Sequence, residues 1–148
     1  MPPPTRTPLG LRLSRTARIV GRAFDDALGD ADGSLPMWLT LISLKSQRFA
    51  NQRQIAEAIG IQEATMSHHL DAMVRQGLVV RERDPENRRV HRVHPTDEGE
   101  AAFVRMRRAA AAFDQRLRQG VSDGEIATFE AVLDRLVENV GAEARSNA

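Results

Sequence analysis

Cysteine is absent from the 148 residues. That one absence excludes disulfides, cysteine-ligated zinc, a cysteine nucleophile and thiol-based redox sensing. Tyrosine is absent too, and aromatic residues reach only 4%. A core made mostly of Leu, Ile, Val and Ala points to helices packed on helices. No apolar run is long enough to cross a bilayer, and the opening MPPPTRTP lacks the apolar stretch of a secretory leader. A cytoplasmic protein without membrane partners is expected. Charge of a single sign is lacking as well, since 28% of residues are charged but leave a net +1. Any cationic surface must therefore come from how charges are placed. What remains is a chain suited in length to one domain or one compact subunit, with 41% hydrophobic residues for a modest core.

Residues 1–8 hold four prolines and read as an extended or disordered arm. From Leu9 to about Leu28 the pattern is helical, with Leu13, Ala17, Val20, Phe24 and Leu28 on one stripe. Ser34 starts a second helix whose body, MWLTLISLKS, is apolar nearly all round and so belongs in the centre. Asn51 and Gln54 stand in capping-box spacing ahead of a short third helix, which Gly60 ends. A tight turn leads to a fourth helix over roughly 63–76, with Met66, Leu70, Met73 and Val74 as its apolar side. Leu78–Arg83 and Val90–His94 read as two strands joined by DPENRR. Thr96 caps a long helix to about Gln119, and Ser122 with Glu125 caps a last one reaching about Val140, followed by a frayed tail over 142–148.

The expected fold class is mainly α with a small β-hairpin wing. A short helix, tight turn and second helix followed by a hairpin is the winged form of the DNA-reading helix–turn–helix. Residues 34–96 form that domain. The striped helices at the two chain ends, 9–33 and 97–141, leave apolar faces that a second subunit would cover, so a helical homodimer interface is expected.

The stretch IAEAIGIQEATMSHHLDAMVRQGLVVRERDPENRRVHRVHPTDEG resembles the winged-helix core of the MarR family of bacterial transcription regulators. The likeness runs in detail from about Ser34 to Phe103 and is most specific in DPENRRVHRVHPTDEG, which is similar to the family's wing signature of an acidic residue, any residue and arginine. The sequence departs from it at Asn87, where the family usually has Asp, at Pro95, where Leu is usual, and at His68, where Arg is frequent. The resemblance implies a homodimeric, sequence-specific double-stranded DNA-binding regulator. It further implies a repressor released by a small, often aromatic or phenolic, ligand.

On this reading the outward face of the fourth helix, Glu63, Thr65, Ser67 and His68 with Gln62 at its entry, reaches phosphates or base edges. Arg88, at the hairpin tip, enters or borders a minor groove, where narrow A·T tracts concentrate negative potential. Arg89 matches the signature arginine, and the resemblance implies that it pairs with Asp71 and ties wing to helix. Lys45, Arg48, Arg53, Arg75, Arg81, Arg83 and Arg92 are candidates for backbone contacts. Arg15, Arg18, Met37 and Trp38 are candidates for an effector pocket. Two subunits would set their helices in successive major grooves about 34 Å apart, on a pseudo-palindromic operator.

Three rival readings remain open. SHHL before Gly-Leu-Val also resembles the recognition helix of the metal-responsive ArsR family. Yet His68 and His69 diverge by about 100° on a helix, and His91 and His94 point to opposite faces of a strand. No metal site and no cofactor are therefore expected. A winged-helix protein-interaction module is the second rival. An enzyme is the third, and the sequence offers it no phosphate loop after a strand and no plausible nucleophile, base and acid arrangement.

Overall fold

The computed structural model describes residues 6–46 and 51–146, the last five by backbone alone. The arm expected over 1–8 lies largely outside the described residues, as does Arg48. Among the described residues eight elements follow in order: α1 (Leu9–Gly29), α2 (Leu35–Lys45), α3 (Gln52–Ile59), α4 (Glu63–Arg75), β1 (Val79–Arg83), β2 (His91–Pro95), α5 (Asp97–Leu117) and α6 (Asp123–Ser146). They fall into two compact units, Met1–Phe113 and Asp114–Ala148. Among the described residues no helix is long and apolar enough to cross a membrane.

The first unit is built around α2. Leu41 and Thr40 on this helix are fully buried, and Ser43 nearly so. The two hydroxyls are satisfied within the helix, Thr40 Oγ1 donating to the Pro36 carbonyl (2.7 Å) and Ser43 Oγ to that of Leu39 (2.8 Å). Around them gather Leu28 from α1, Ile55 and Ala56 from α3, Met66, Leu70 and Met73 from α4, Val79 and Val93 from the hairpin, and Ala102 and Met106 from α5. Burial grows along α1: Leu13 is exposed, Val20 and Phe24 are partly covered, and Leu28 is fully covered. Val74, expected inside, is 41% exposed, because only Met66, Leu70 and Met73 lie on the inner row of α4.

The helix ends follow local chemistry. Asn51 Oδ1 accepts the Gln54 N–H (2.9 Å), and Gly60 closes α3 with φ 79°. Gly77, at φ 71°, ends α4 and lets the Leu78 N–H donate to the Met73 carbonyl (2.9 Å). This six-to-one bond occupies Leu78, so β1 begins one residue later than its apolar run suggests. Thr96 caps α5 by accepting the Gly99 N–H (3.0 Å).

The second unit holds α6. Its capping box is complete, with Ser122 Oγ accepting from the Glu125 N–H (3.2 Å) and Glu125 Oε2 from the Ser122 N–H (2.8 Å). The latter bond holds the Glu125 carboxyl below its usual range. The helix continues to Ser146, past the tail expected from 142. A lone glycine such as Gly141 costs about 1 kcal/mol against alanine, and the Ala-Glu-Ala-Arg after it is made of strong helix formers.

One close approach is strict. A Cβ built on Gly99 would lie 2.0 Å from the Leu78 carbonyl oxygen, where the start of α5 passes the residue that precedes β1. Substitution Gly99→Ala is expected to destabilise the protein by roughly 1–3 kcal/mol, as overpacking does, measured as a lower midpoint in urea. Gly10→Ala, where a Cβ meets nothing within 4 Å, is expected to leave that midpoint unchanged or raised.

Candidate nucleic-acid interface

The inner row of α4 fixes what its outer row presents. With Met66 and Leu70 fully buried and Met73 nearly so, Gln62, Glu63, Thr65 and His68 are exposed, while Ser67 and His69 are half-buried. The turn from α3 is short because Gly60 takes a left-handed conformation. The N–H groups of Gly60 and Ile61 both donate to the Ala56 carbonyl (2.9 and 3.1 Å). The four exposed side chains offer amide, carboxylate, hydroxyl and imidazole groups, the repertoire that addresses base edges and phosphates.

The hairpin pairs antiparallel, with Arg81 opposite Val93 and Val79 opposite Pro95. Its loop is held by its own polar groups. The Asp84 N–H donates to the Val90 carbonyl (2.9 Å), and the Val90 N–H donates to that of Asn87 (2.9 Å). Asp84 Oδ1 accepts the Glu86 N–H (2.8 Å), and Asn87 Oδ1 accepts the Arg89 N–H (3.2 Å). The amide of Asn87 thus performs the turn-forming task that an aspartate carboxylate would. Asp84 also pairs with Arg92 Nε (2.9 Å), and the Glu86 N–H followed by Arg92 holds its carboxyl below the usual carboxylate range. A backbone bridge from Arg92 to Asn51 ties the hairpin to the cap of α3. At the tip, Arg88 and Arg89 are exposed, and neither takes part in a described ion pair.

The tether between hairpin and helix differs from the expected one. Asp71 pairs with Arg81 Nη1 at 2.9 Å, not with Arg89, and Arg81 Nη2 donates to the Ser67 carbonyl (3.1 Å). The reason is strand geometry. Side chains alternate along β1, Val79 is 2% exposed, and Arg81 two residues on shares its inner face. Its guanidinium reaches α4, where it is only 19% exposed as a side chain, and its Nε is buried without a partner. Arg81 therefore joins α4 to the hairpin. The signal was present in the sequence as the Val79-Val80-Arg81 alternation.

Arg89 instead borders a cleft of about 340 Å³, lined also by Asn51, Gln52, Arg53, Glu63, Val90 and His91. Arg53 is largely exposed and pairs with Glu57 at 3.1 Å, a contact weak enough in water to exchange for a phosphate. Arg75 and Arg83 are exposed. Lys45 and Arg92 are committed elsewhere, Lys45 to Glu100 (2.8 Å) and over the Phe103 ring (5.6 Å), Arg92 to Asp84.

The four residues expected to line an effector pocket are not brought together. Trp38 stacks on Phe103 with centroids 5.4 Å apart, and Met37 packs beside the same core. Arg15 and Arg18 are exposed on α1, roughly opposite the face that carries Val20 and Phe24, so their side chains leave the helix away from the core. Among the described residues no three His, Asp or Glu side chains gather as a metal site requires.

Two outcomes test this geometry. Arg81→Met is expected to weaken operator binding on the order of tenfold, as removal of one partner of a positioned charge pair does. Asp71→Asn added to it is expected to cost less than the sum of the two single changes. Gel-shift titrations measure both. Separately, the contribution of Asp84 is present above its unfolded value near about 3.9 and is lost as pH falls through the lowered folded value. The hairpin amides of Glu86 and Val90 are thus expected to lose exchange protection at acid pH, and Asp84→Asn to abolish that pH dependence.

Comparison with known proteins places this arrangement. Residues 34–91 match the profile of the MarR family. The transcriptional repressor CouR, solved bound to a 23-mer DNA duplex, is 27% identical with a TM-score of 0.80, over 88% of this chain and 92% of that one. CouR from Rhodococcus jostii RHA1, solved with p-coumaroyl-CoA, is 26% identical with a TM-score of 0.72, over 86% and 90%. A MarR-family transcriptional regulator from Rhodococcus sp. RHA1 is 26% identical with a TM-score of 0.74, over 86% and 91%. The helix–turn–helix and the tethered wing lie in and beside the segment that matches the MarR family, and the chain resembles these regulators over most of its length.

Proposed function

We propose that the protein is a homodimeric, sequence-specific double-stranded DNA-binding transcriptional regulator of the bacterial cytoplasm, a repressor released by a small ligand. Each subunit lays α4 across the major groove, with Gln62, Glu63, Thr65, Ser67 and His68 facing the bases, and sets Arg88 into the adjoining minor groove. Arg89, Arg53 and Arg75 meet the backbone. The observation that carries this reading is the exposed polar row of α4 beside a rigid hairpin tip whose two arginines have no described ion pair. CouR, which carries a duplex in one solved structure and p-coumaroyl-CoA in another, supports both DNA and a small aromatic ligand as partners.

Residues 34–96 act as the DNA-binding domain, and residues 9–33 and 97–141 as the dimerisation region. In support, α6 has no buried residue among its described side chains, and its apolar stripe leaves Phe129 54% and Val140 70% exposed. An apolar stripe of that length calls for a covering partner. A two-fold dimer then demands a pseudo-palindromic operator with half-sites about one helical turn apart.

Selection from random duplex DNA is expected to enrich a two-fold-related sequence. On the selected site, Arg88→Ala and Arg89→Ala are each expected to weaken binding and to flatten its salt dependence, by about one unit of log–log slope for each phosphate left unneutralised. Arg88→Ala alone is expected to relax the preference for A·T flanks. Enrichment of no symmetric sequence would remove the reading.

A further inference from the structure

The chain's near-neutral charge conceals a segregated block. Residues 6–24 carry Arg6, Arg12, Arg15, Arg18 and Arg22 and not one acid. All five arginines are exposed, and none takes part in a described ion pair. Four other arginines, Arg53, Arg81, Arg92 and Arg118, each sit on a carboxylate within about 3 Å, whereas the α1 block shares its lack of a described ion pair with the wing-tip Arg88 and Arg89. On α1, Arg12 with Arg15, Arg15 with Arg18, and Arg18 with Arg22 stand three or four residues apart, a spacing at which like charges repel and destabilise a helix. Arg12 also sits in the first turn, where the helix dipole disfavours a cation, and that turn holds no acidic residue. Two local rules are thus broken at one place, and such conflicts mark function more often than chance.

The block is concave where it is densest. Arg6, Thr7, Arg12, Arg15 and Thr16 line a depression of about 380 Å³. Its lining thus holds three arginines and two threonines and no acidic residue. Guanidinium forks match phosphate oxygens in two-point contacts, and hydroxyls supply further donors. The volume suits a phosphate or diphosphate group and is too small for a whole nucleotide coenzyme. On the helical wheel the arginines lie roughly opposite the stripe of Leu13, Val20 and Phe24, on a face that also carries the exposed Leu11 and Ile19.

We propose that the N-terminal part of α1 binds the phosphate or diphosphate group of a small-molecule ligand, with Arg6, Arg12 and Arg15 as its cationic partners. This deepens the reading of the protein as a ligand-released regulator and rests on it only for the consequence of binding, not for the site. The ligand class is a phosphorylated metabolite, such as a coenzyme A thioester, and its acyl portion lies outside the depression.

The test uses the full-length protein and calorimetric titration with inorganic diphosphate, coenzyme A and a coenzyme A thioester, at low and at physiological salt. Arg12→Gln/Arg15→Gln is run beside the wild type, with circular dichroism to verify its fold and Arg12→Lys/Arg15→Lys as a charge-keeping variant. Saturable binding of about one site per chain is expected in the wild type. It should weaken at least tenfold in the glutamine variant, recover partly in the lysine variant, and decline with salt. If diphosphate alone accounts for the affinity, the source is free phosphate compounds; tighter binding of the thioester assigns the coenzyme. Equal binding by wild type and glutamine variant overturns the proposal, as does no binding of any phosphate compound. So does a loss in the variant confined to affinity for unrelated duplex DNA. Operator release is read separately. A non-phosphorylated aromatic acid that releases operator while no phosphate compound binds leaves the regulator reading standing and removes this site. Phosphate binding without operator release does the reverse.

Discussion

A two-stranded hairpin does not hold a fixed shape in water by itself. Reading two grooves at once requires the hairpin to have one direction relative to α4, and that direction is set on a single face. Val79 and Val93 bury their side chains in the core, while Arg81, on the same face, reaches Asp71 and the Ser67 carbonyl. Apolar burial supplies most of the attraction and has no direction. The guanidinium supplies direction, because its donors must meet acceptors on α4 along defined lines. The bridge from Arg92 to the cap of α3 fixes the other end. The hairpin tip is therefore held by the same core that carries α4, at one defined offset, as the proposed reading of two grooves requires.

Much of this was legible in the sequence. The periodicity of α1, α2, α5 and α6, the caps at Ser34, Asn51, Thr96 and Ser122, and the glycine stop at Gly60 all announce their elements through local chemistry, and each appears within a residue or two of its expected place except the end of α6, which runs on to Ser146. The outward row of α4 followed from its inward row. What eluded the sequence were facts of partnership. Asp71 had several arginines within plausible reach, and only the strand pleat selects Arg81 over Arg89. Lys45 and Arg92 looked free for phosphate until tertiary structure gave them Glu100 and Asp84. Trp38 and Arg15 share no surface because a helix turns its faces apart, a relation that needs the docking of α1 and α2 to be known.

The same contrast governs charge. A net of +1 describes the chain poorly, since two groups of exposed arginines without a described ion pair stand apart from it, each for its own reason. At the wing tip, Arg88 and Arg89 are held out by a loop whose own hydrogen bonds are all internal, so their exposure is imposed by backbone geometry. Along α1, exposure comes at the expense of helix stability, through repulsion between turns and an opposed dipole. Acidic residues are concentrated elsewhere, at the first turn of α5 and along α6. This separation lets a protein of nearly balanced charge present strongly positive surfaces while limiting non-specific attraction to the rest of the genome.

Hydroxyl-radical footprinting of the protein on its selected operator reports the minor-groove faces it covers at single-nucleotide resolution. Wing and helix moving as one body, in a two-fold dimer, predict two outer protected minor-groove segments related by symmetry, each flanking a major-groove half-site, with both outer segments lost in Arg88→Ala/Arg89→Ala. A footprint confined to one side, or outer protection that persists without the two arginines, would contradict the account.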